Sequence, residues 1–208
     1  MRDTLFGDAP INAWPQDSTL SAEPWDSFIK ARQMLASGDR DGATAQWQRI
    51  IAMPNLESRH YVQAWNFLRE QGVQAPQEQA KHVYGVVVEY MMPQGLDLLA
   101  AYEDGSARYY NFSGAGVIWE KPDNRLEAPI RLLLDVGGKV AAVIGPWENA
   151  RPGVPERGNI RISMLTPSGL HFGQGEFNAL NADPMGRALI GVATHLMVQM
   201  TEIGKQGR

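Results

Sequence analysis

Leu98-Leu-Ala-Ala-Tyr-Glu-Asp-Gly-Ser-Ala-Arg-Tyr-Tyr-Asn111 reads as a β-hairpin with Asp104-Gly105 at its tip. A two-residue turn of the mirror-image type needs positive φ at both central residues. Asp tolerates that conformation and Gly adopts it freely, so Asp-Gly between apolar runs marks a hairpin. Such a turn places Leu98, Ala100 and Tyr102 on one face with Ala107, Tyr109 and Asn111. The other face carries Asp97, Leu99, Ala101 and Glu103 with Arg108 and Tyr110. The first face is the more apolar and is expected to meet the core. Arg108 is expected to make an exposed diagonal pair with Glu103 on the second face.

Outward from the hairpin, the period of two continues. Val83–Tyr90 is rich in Val and Tyr and predicts a buried strand, and Met91-Met-Pro-Gln-Gly95 turns the chain into the hairpin. Ser113-Gly-Ala-Gly116 turns it again before a short strand, Val117-Ile-Trp119. The four strands form a meander. Pro129–Ile144 predicts a helix, with Gly145-Pro146 as its stop and Gly137-Gly138 in its middle. Each of those glycines costs about 1 kcal/mol against alanine, a cost that close backbone packing can explain. The alternative is a strand over residues 139–144. Ile160, Ile162 and Met164 alternate with polar neighbours and predict a further strand, returning through Pro167-Ser-Gly169. A three-residue turn there would pair Met164 with Phe172 and send His171, Ser163 and Arg161 to the other face. The last helix is capped by Asp183, starts at Pro184 and ends at Gly204. Its stripe is Met185, Leu189, Val192, Leu196, Met200 and Ile203.

Upstream of the sheet the period is helical. Over residues 22–73, Phe28, Ala31, Met34 and Leu35 form one face, Ala43, Trp47, Ile50 and Ile51 a second, and Tyr61, Ala64, Trp65 and Leu68 a third. Gly38-Asp39 and Pro54 separate them. The polar stretch from Gly72 to Gln79 reads as a linker. Residues 1–21 form an aperiodic arm in which Phe6, Ile11 and Trp14 are conspicuous. The expectation is that they dock on the protein's own surface; the alternative is a partner-binding segment. The organisation is therefore an arm (1–21), a helical subdomain (22–73) and an α+β sheet domain (80–208). The last has the order β-β-β-β-α-β-β-α, an antiparallel sheet with two helices on one face.

Residues 25–54 resemble a single tetratricopeptide unit. Ala31 and Ala43 stand at the small positions where its two helices approach, Gly38 at the turn, Trp47 at the large position and Pro54 near the closing proline. The resemblance implies a helical hairpin and a role in protein binding. No second copy follows at the 34-residue period.

Composition limits the chemistry. The chain has 208 residues and no cysteine, which removes disulfides, thiolate catalysis and cysteine-ligated metals. The formal charge of −4 is spread along the chain with no basic stripe, so nucleic-acid binding is not expected. No apolar run reaches the roughly 20 residues that span a bilayer. No leader-like segment is read at the N-terminus, and a cytoplasmic protein is expected. Gly173-Gln-Gly175 is no dinucleotide fingerprint, and Ser113-Gly-Ala-Gly116 is no nucleophile elbow. His60, His82, His171 and His195 never fall at metal-ligand spacing. No catalytic group, metal or cofactor is expected. The candidate binding residues are Trp14 in the arm, Trp147 in the Pro/Gly-rich loop 146–158, and Arg161 with His171 on the second sheet hairpin. The expected function is that of a non-catalytic cytoplasmic protein-interaction or scaffold protein with a protein partner and the capacity to homo-oligomerise. The alternative is a small-molecule-binding or hydrolytic domain with a pocket near His171 and the 146–158 loop. An exposed apolar patch on the helices would favour the first, and a deep polar-lined pocket the second.

Overall fold

The computed structural model describes residues 1–120 and 122–206. Two 3-10 turns, Arg2–Thr4 and Ile11–Ala13, lead into α1 (Trp25–Ala36), α2 (Arg40–Ala52) and α3 (Ser58–Glu70). The sheet strands are β1 (Gly85–Met92), β2 (Gly95–Tyr102), β3 (Ala107–Tyr110) and β4 (Gly116–Trp119). After α4 (Glu127–Val143) come β5 (Asn159–Thr166) and β6 (Gly169–Glu176), then α5 (Phe177–Ala182) and α6 (Pro184–Gln206). The fold is α+β. All neighbouring strands are antiparallel, in the order β4-β3-β2-β1-β5-β6. The short α5 carries no apolar period of its own and was not expected.

The sheet is covered on both sides. Val86, Val88, Leu99, Ala101, Ala107, Ile162 and Met164 face α4 and α6. Val87, Leu98, Ala100, Tyr102 and Leu165 face Val62 of α3 and Leu5 and Phe6 of the arm. Leu5 and Phe6 are almost completely buried. Each such side chain contributes roughly 1.5–3 kcal/mol, so this part of the arm is a layer of the fold. In the helical region Ala31, Ala43 and Trp47 are fully buried where α1 meets α2. Gly38, at φ +87°, makes the turn, and Asp39 accepts from the Gly42 N–H at 2.8 Å.

Both hairpins differ in register from the sequence reading. The first has a three-residue loop, not two. Ala101 pairs with Ala107 and Leu99 with Tyr109, and only Gly105 takes positive φ (+86°). Asp104 is held instead by its side chain, which accepts from the Ser106 N–H at 2.8 Å and the Ser58 N–H at 2.7 Å. Leu99 and Ala101 therefore share the helix face with Ala107 and Tyr109, while Arg108 and Tyr110 lie on the arm face. Arg108 pairs with Glu120 at 2.9 Å rather than with Glu103, which pairs with His82 at 2.9 Å.

The second hairpin has a two-residue turn at Pro167-Ser168. Thr166 pairs with Gly169 and Met164 with His171. His171 thus lies on the helix face, and Arg161 and Ser163 lie on the arm face with Phe172. Matching apolar residues across the pair does not choose this register, because both faces are covered.

The region over residues 129–144 is helical, starting two residues before Pro129. Gly137 explains part of its glycine pair. A Cβ there would lie 2.9 Å from Val86 Cγ2 and 3.3 Å from Met164 Cγ, whereas one on Gly138 would meet nothing within 4 Å. α6 runs on through Gly204, where a Cβ would lie 2.8 Å from Val117 Cγ2, so this glycine marks a close crossing over β4, not a helix end. Met185 is exposed and lies outside the buried stripe.

Two stability predictions follow from these contacts. Gly138→Ala is expected to stabilise the protein by about 1 kcal/mol through helix propensity, and Gly137→Ala to destabilise it, because stiff Val86 cannot yield. Urea melts of the two variants give the two signs. Asp183 Oδ1 accepts from the N–H groups of Met185 (2.9 Å) and Gly186 (2.8 Å). Asp183→Ala is accordingly expected to cost about 1 kcal/mol in the same assay.

Candidate functional site

A cleft of about 560 Å³ opens between the arm, α3, the start of the 146–158 loop and the β5–β6 turn. Phe6, Val62, Leu165 and Leu170 supply apolar wall, and Trp147 stands at its rim, 43% exposed. The loop is held in place locally. Trp147 Nε1 donates to the Ala150 carbonyl at 3.0 Å, the Trp147 backbone N–H donates to the Leu170 carbonyl at 2.7 Å, and the indole lies 5.2 Å from the Phe172 ring. Arg151 anchors the arm to the loop by ion pairs with Asp8 and Asp3, its guanidinium lying over the Phe6 ring at 4.2 Å.

Arg69 differs from Arg151. It lines the cleft from α3, donating through Nη1 to the Pro167 carbonyl at 2.9 Å and through Nη2 to Asn66 Oδ1 at 3.0 Å. Among the described residues it makes no ion pair. Burial pulls its pKa below the ordinary value, partly offset by Glu70 and Asp8. An arginine stays charged in a protein, so this is a partly buried cation, with Asp8 and Glu70 also lining the cleft but neither in a direct ion pair with it.

Ser168 also lines the cleft, at the tip of the β5–β6 turn. Its Oγ lies 3.0 Å from His171 Nε2, and His171 Nδ1 lies 3.1 Å from the Ile144 carbonyl oxygen. A carbonyl can only accept, so Nδ1 carries the proton and donates. Nε2 is then an acceptor, and the Ser168 hydroxyl donates to it. Thr166 Oγ1 donates to the Gly169 carbonyl at 2.9 Å and sits 3.0 Å from Ser168 Oγ. His171 is completely buried, which disfavours its charged form and lowers its pKa; the bond to Ile144 opposes this and the Lys81 charge adds to it.

The four sequence candidates fall in different places. Trp147 is on the cleft. Arg161 is buried on the arm face, away from the cleft lining, with its guanidinium 5.4 Å over the Phe172 ring that also meets Trp147. Its Nη1 donates to Glu89 Oε2 at 3.1 Å and to the Gly153 carbonyl at 2.7 Å, and its Nε to Gln174 Oε1 at 2.7 Å, so its donors are largely spent on structure. His171 lies behind the cleft on the helix face and reaches it through Ser168. Trp14 is elsewhere, docked against Trp25 (5.4 Å), Phe28 (6.1 Å) and His60 (6.5 Å) on α1 and α3. Ser168, Arg69 and Arg151 were missed. The one local signal was Ser168 three residues before a histidine across a tight turn. Arg69 had none, because its place depends on how α3 docks.

Among the described residues, no group of three or more His, Cys, Asp or Glu could hold a metal ion, and no helix is long and apolar enough to cross a membrane. No protein-family model matches the chain, and no curated protein or solved structure matches it significantly.

Histidine titrations are expected to separate by environment. His82 donates to Glu103, which raises its pKa above the ordinary 6.5, while burial lowers that of His171. For His171 the unfolded chain binds the proton first as pH falls. Its contribution to stability is thus full above about pH 6.5 and lost as pH drops toward its lowered folded value. For His82 the contribution is full below about pH 6.5 and lost as pH rises through its raised folded value. A two-dimensional NMR titration of the imidazoles checks the order, and a midpoint for His171 above that of His82 would contradict it.

Proposed function

We propose that this chain is a small-molecule-binding domain whose cleft takes a small carboxylate with an apolar body. The observation that carries the reading is Arg69, a partly buried guanidinium in no ion pair among the described residues, lining a cleft whose walls are partly apolar. A carboxylate ligand would give Arg69 a direct ion-pair partner through charge-assisted hydrogen bonds, and Phe6, Leu165, Leu170 and Trp147 would cover its carbon skeleton. The cleft volume suits a molecule of metabolite size.

The scaffold reading draws less support. It rests on the tetratricopeptide-like helices, the aromatic arm and the lack of a catalytic constellation in the sequence, and Trp14 of the arm has a structural partner set of its own. Among the described residues, the exposed large apolar side chains include none on α1, α2 or α3.

The test is a screen of small carboxylates, amines and neutral analogues against protein labelled at its tryptophan indoles. The Trp147 signal is assigned by Trp147→Phe. Carboxylates with aromatic or branched aliphatic bodies are expected to shift the Trp147 resonance, and their amide analogues to bind about tenfold more weakly, a difference of about 1.4 kcal/mol. Amides and amines binding as well as the acids would refute the proposal.

A further inference from the structure

Ser168 and His171 are more than a turn contact. We infer that they form a nucleophile–base pair that cleaves carboxylic esters in the cleft, Ser168 Oγ attacking and His171 Nε2 taking its proton. This rests on the proposed carboxylate cleft and extends it: the acid bound beside Arg69 would be the product of the reaction.

Three features carry the inference. First, the tautomer of His171 follows from its partners. With Nδ1–H committed to the Ile144 carbonyl at 3.1 Å, the lone pair of Nε2 can only point at Ser168 Oγ, 3.0 Å away. A serine hydroxyl is a weak nucleophile until a base oriented by a third group accepts its proton, and here the third group is a backbone carbonyl at the end of α4. Second, the two partners are exposed unequally. His171 is fully buried and screened from solvent, while Ser168 is part-exposed and lines the cleft. A substrate would meet the nucleophile and leave the base dry behind it. Third, a positive charge flanks the turn. Arg69 Nη1 holds the Pro167 carbonyl at 2.9 Å, and a Cβ on Gly169 would lie 3.7 Å from Arg69 Nε. Its Nε–H donates to no protein group among the described residues and is free for charge that develops on a carbonyl oxygen.

The competing reading of His171 is that it merely caps α4, where Lys81 Nζ also donates to the Ala142 carbonyl at 2.7 Å and the Ile144 carbonyl at 3.2 Å. A cap accounts for the bond at Nδ1. It leaves unexplained why Nε2, the other nitrogen, is served by a part-exposed hydroxyl that lines the cleft.

The step balances with water as co-reactant. Ser168 Oγ forms a bond to the ester carbonyl carbon and its proton moves to His171 Nε2. The tetrahedral intermediate expels the alcohol oxygen, which leaves with that proton, and the acyl group stays on Ser168. Water then attacks the acyl carbon, giving one proton to His171 Nε2. That proton returns to Ser168 Oγ as the C–O bond breaks and the acid is released beside Arg69.

A fluorophosphonate probe tests the pair, because it forms a P–O bond to an activated serine and releases fluoride. The expected result is one adduct, mapped by mass spectrometry to Ser168, with p-nitrophenyl acetate hydrolysed at a rate that rises with pH through a midpoint below the ordinary histidine value of 6.5. Ser168→Ala is expected to abolish both while its melting temperature stays near that of the parent. His171→Gln, which can keep the bond to Ile144, is expected to slow labelling at least a hundredfold with Ser168 still present. Labelling absent from Ser168, unchanged in His171→Gln, or equal in the urea-unfolded chain overturns the inference. The two proposals fail separately. If carboxylates shift the Trp147 resonance of the parent protein but the probe labels nothing in that same protein, the binding reading stands and the catalytic one falls.

Discussion

Glu89 lies in the middle of β1 and is completely shielded from solvent, on the face of the sheet away from α4 and α6. A carboxyl group in that position is tolerable only if cations follow it into the interior. Two do, from distant parts of the chain. Arg2 reaches it from the arm through Nε, and Arg161 reaches it from the neighbouring strand β5 at 3.1 Å. Both guanidinium groups also donate to carbonyls of the 146–158 loop, Arg2 to Pro152 at 2.9 Å and Arg161 to Gly153 at 2.7 Å. One buried charge thus ties together the arm, the sheet and the loop.

The rest of the second layer depends on that knot. With Arg2 held at Glu89, Leu5 and Phe6 lie over Val87, Leu98 and Ala100, and the Tyr102 hydroxyl donates to the Leu5 carbonyl at 2.7 Å. Phe6 in turn becomes a wall of the cleft, and Arg151, paired with Asp3 and Asp8, closes the arm against the loop. The α3 side is fixed from the other direction. Asp104 at the β2–β3 turn accepts from the Ser58 N–H, one of the unpaired donors at the start of α3, and Ser58 Oγ accepts from the Asp104 N–H at 2.9 Å. That reciprocal pair sets how α3 crosses the sheet, and so where Arg69 stands relative to the β5–β6 turn.

The cleft therefore lies where elements from four parts of the chain meet, on a rigid sheet. Its polar groups differ in kind. Arg151 is paired with Asp3 and Asp8, whereas Arg69 is in no ion pair among the described residues and Ser168 presents an oriented hydroxyl.

Much of the architecture was legible locally, because it rests on signals a few residues long. The change of period from helix to strand after residue 80, the Asp-Pro start of α6, the Gly38-Asp39 break and the Asp-Gly tip of the first hairpin all have their causes within one turn of chain. Hairpin registers were not legible, since a sheet covered on both faces gives no preference for which residues point which way. Asp104 looked like a turn residue tolerant of positive φ, and its actual work is to bind Ser58, 46 residues away. The candidate site divides along the same line. Trp147 and His171 could be picked out by residue type and loop context. Their relation could not, because the register that puts His171 behind Ser168 also separates it from Arg161. Arg69 carries no local sign of its role. Local sequence determined the elements and their order. Only the tertiary structure decided which polar groups were neutralised and which were left free, because that depends on long-range docking around one buried carboxylate.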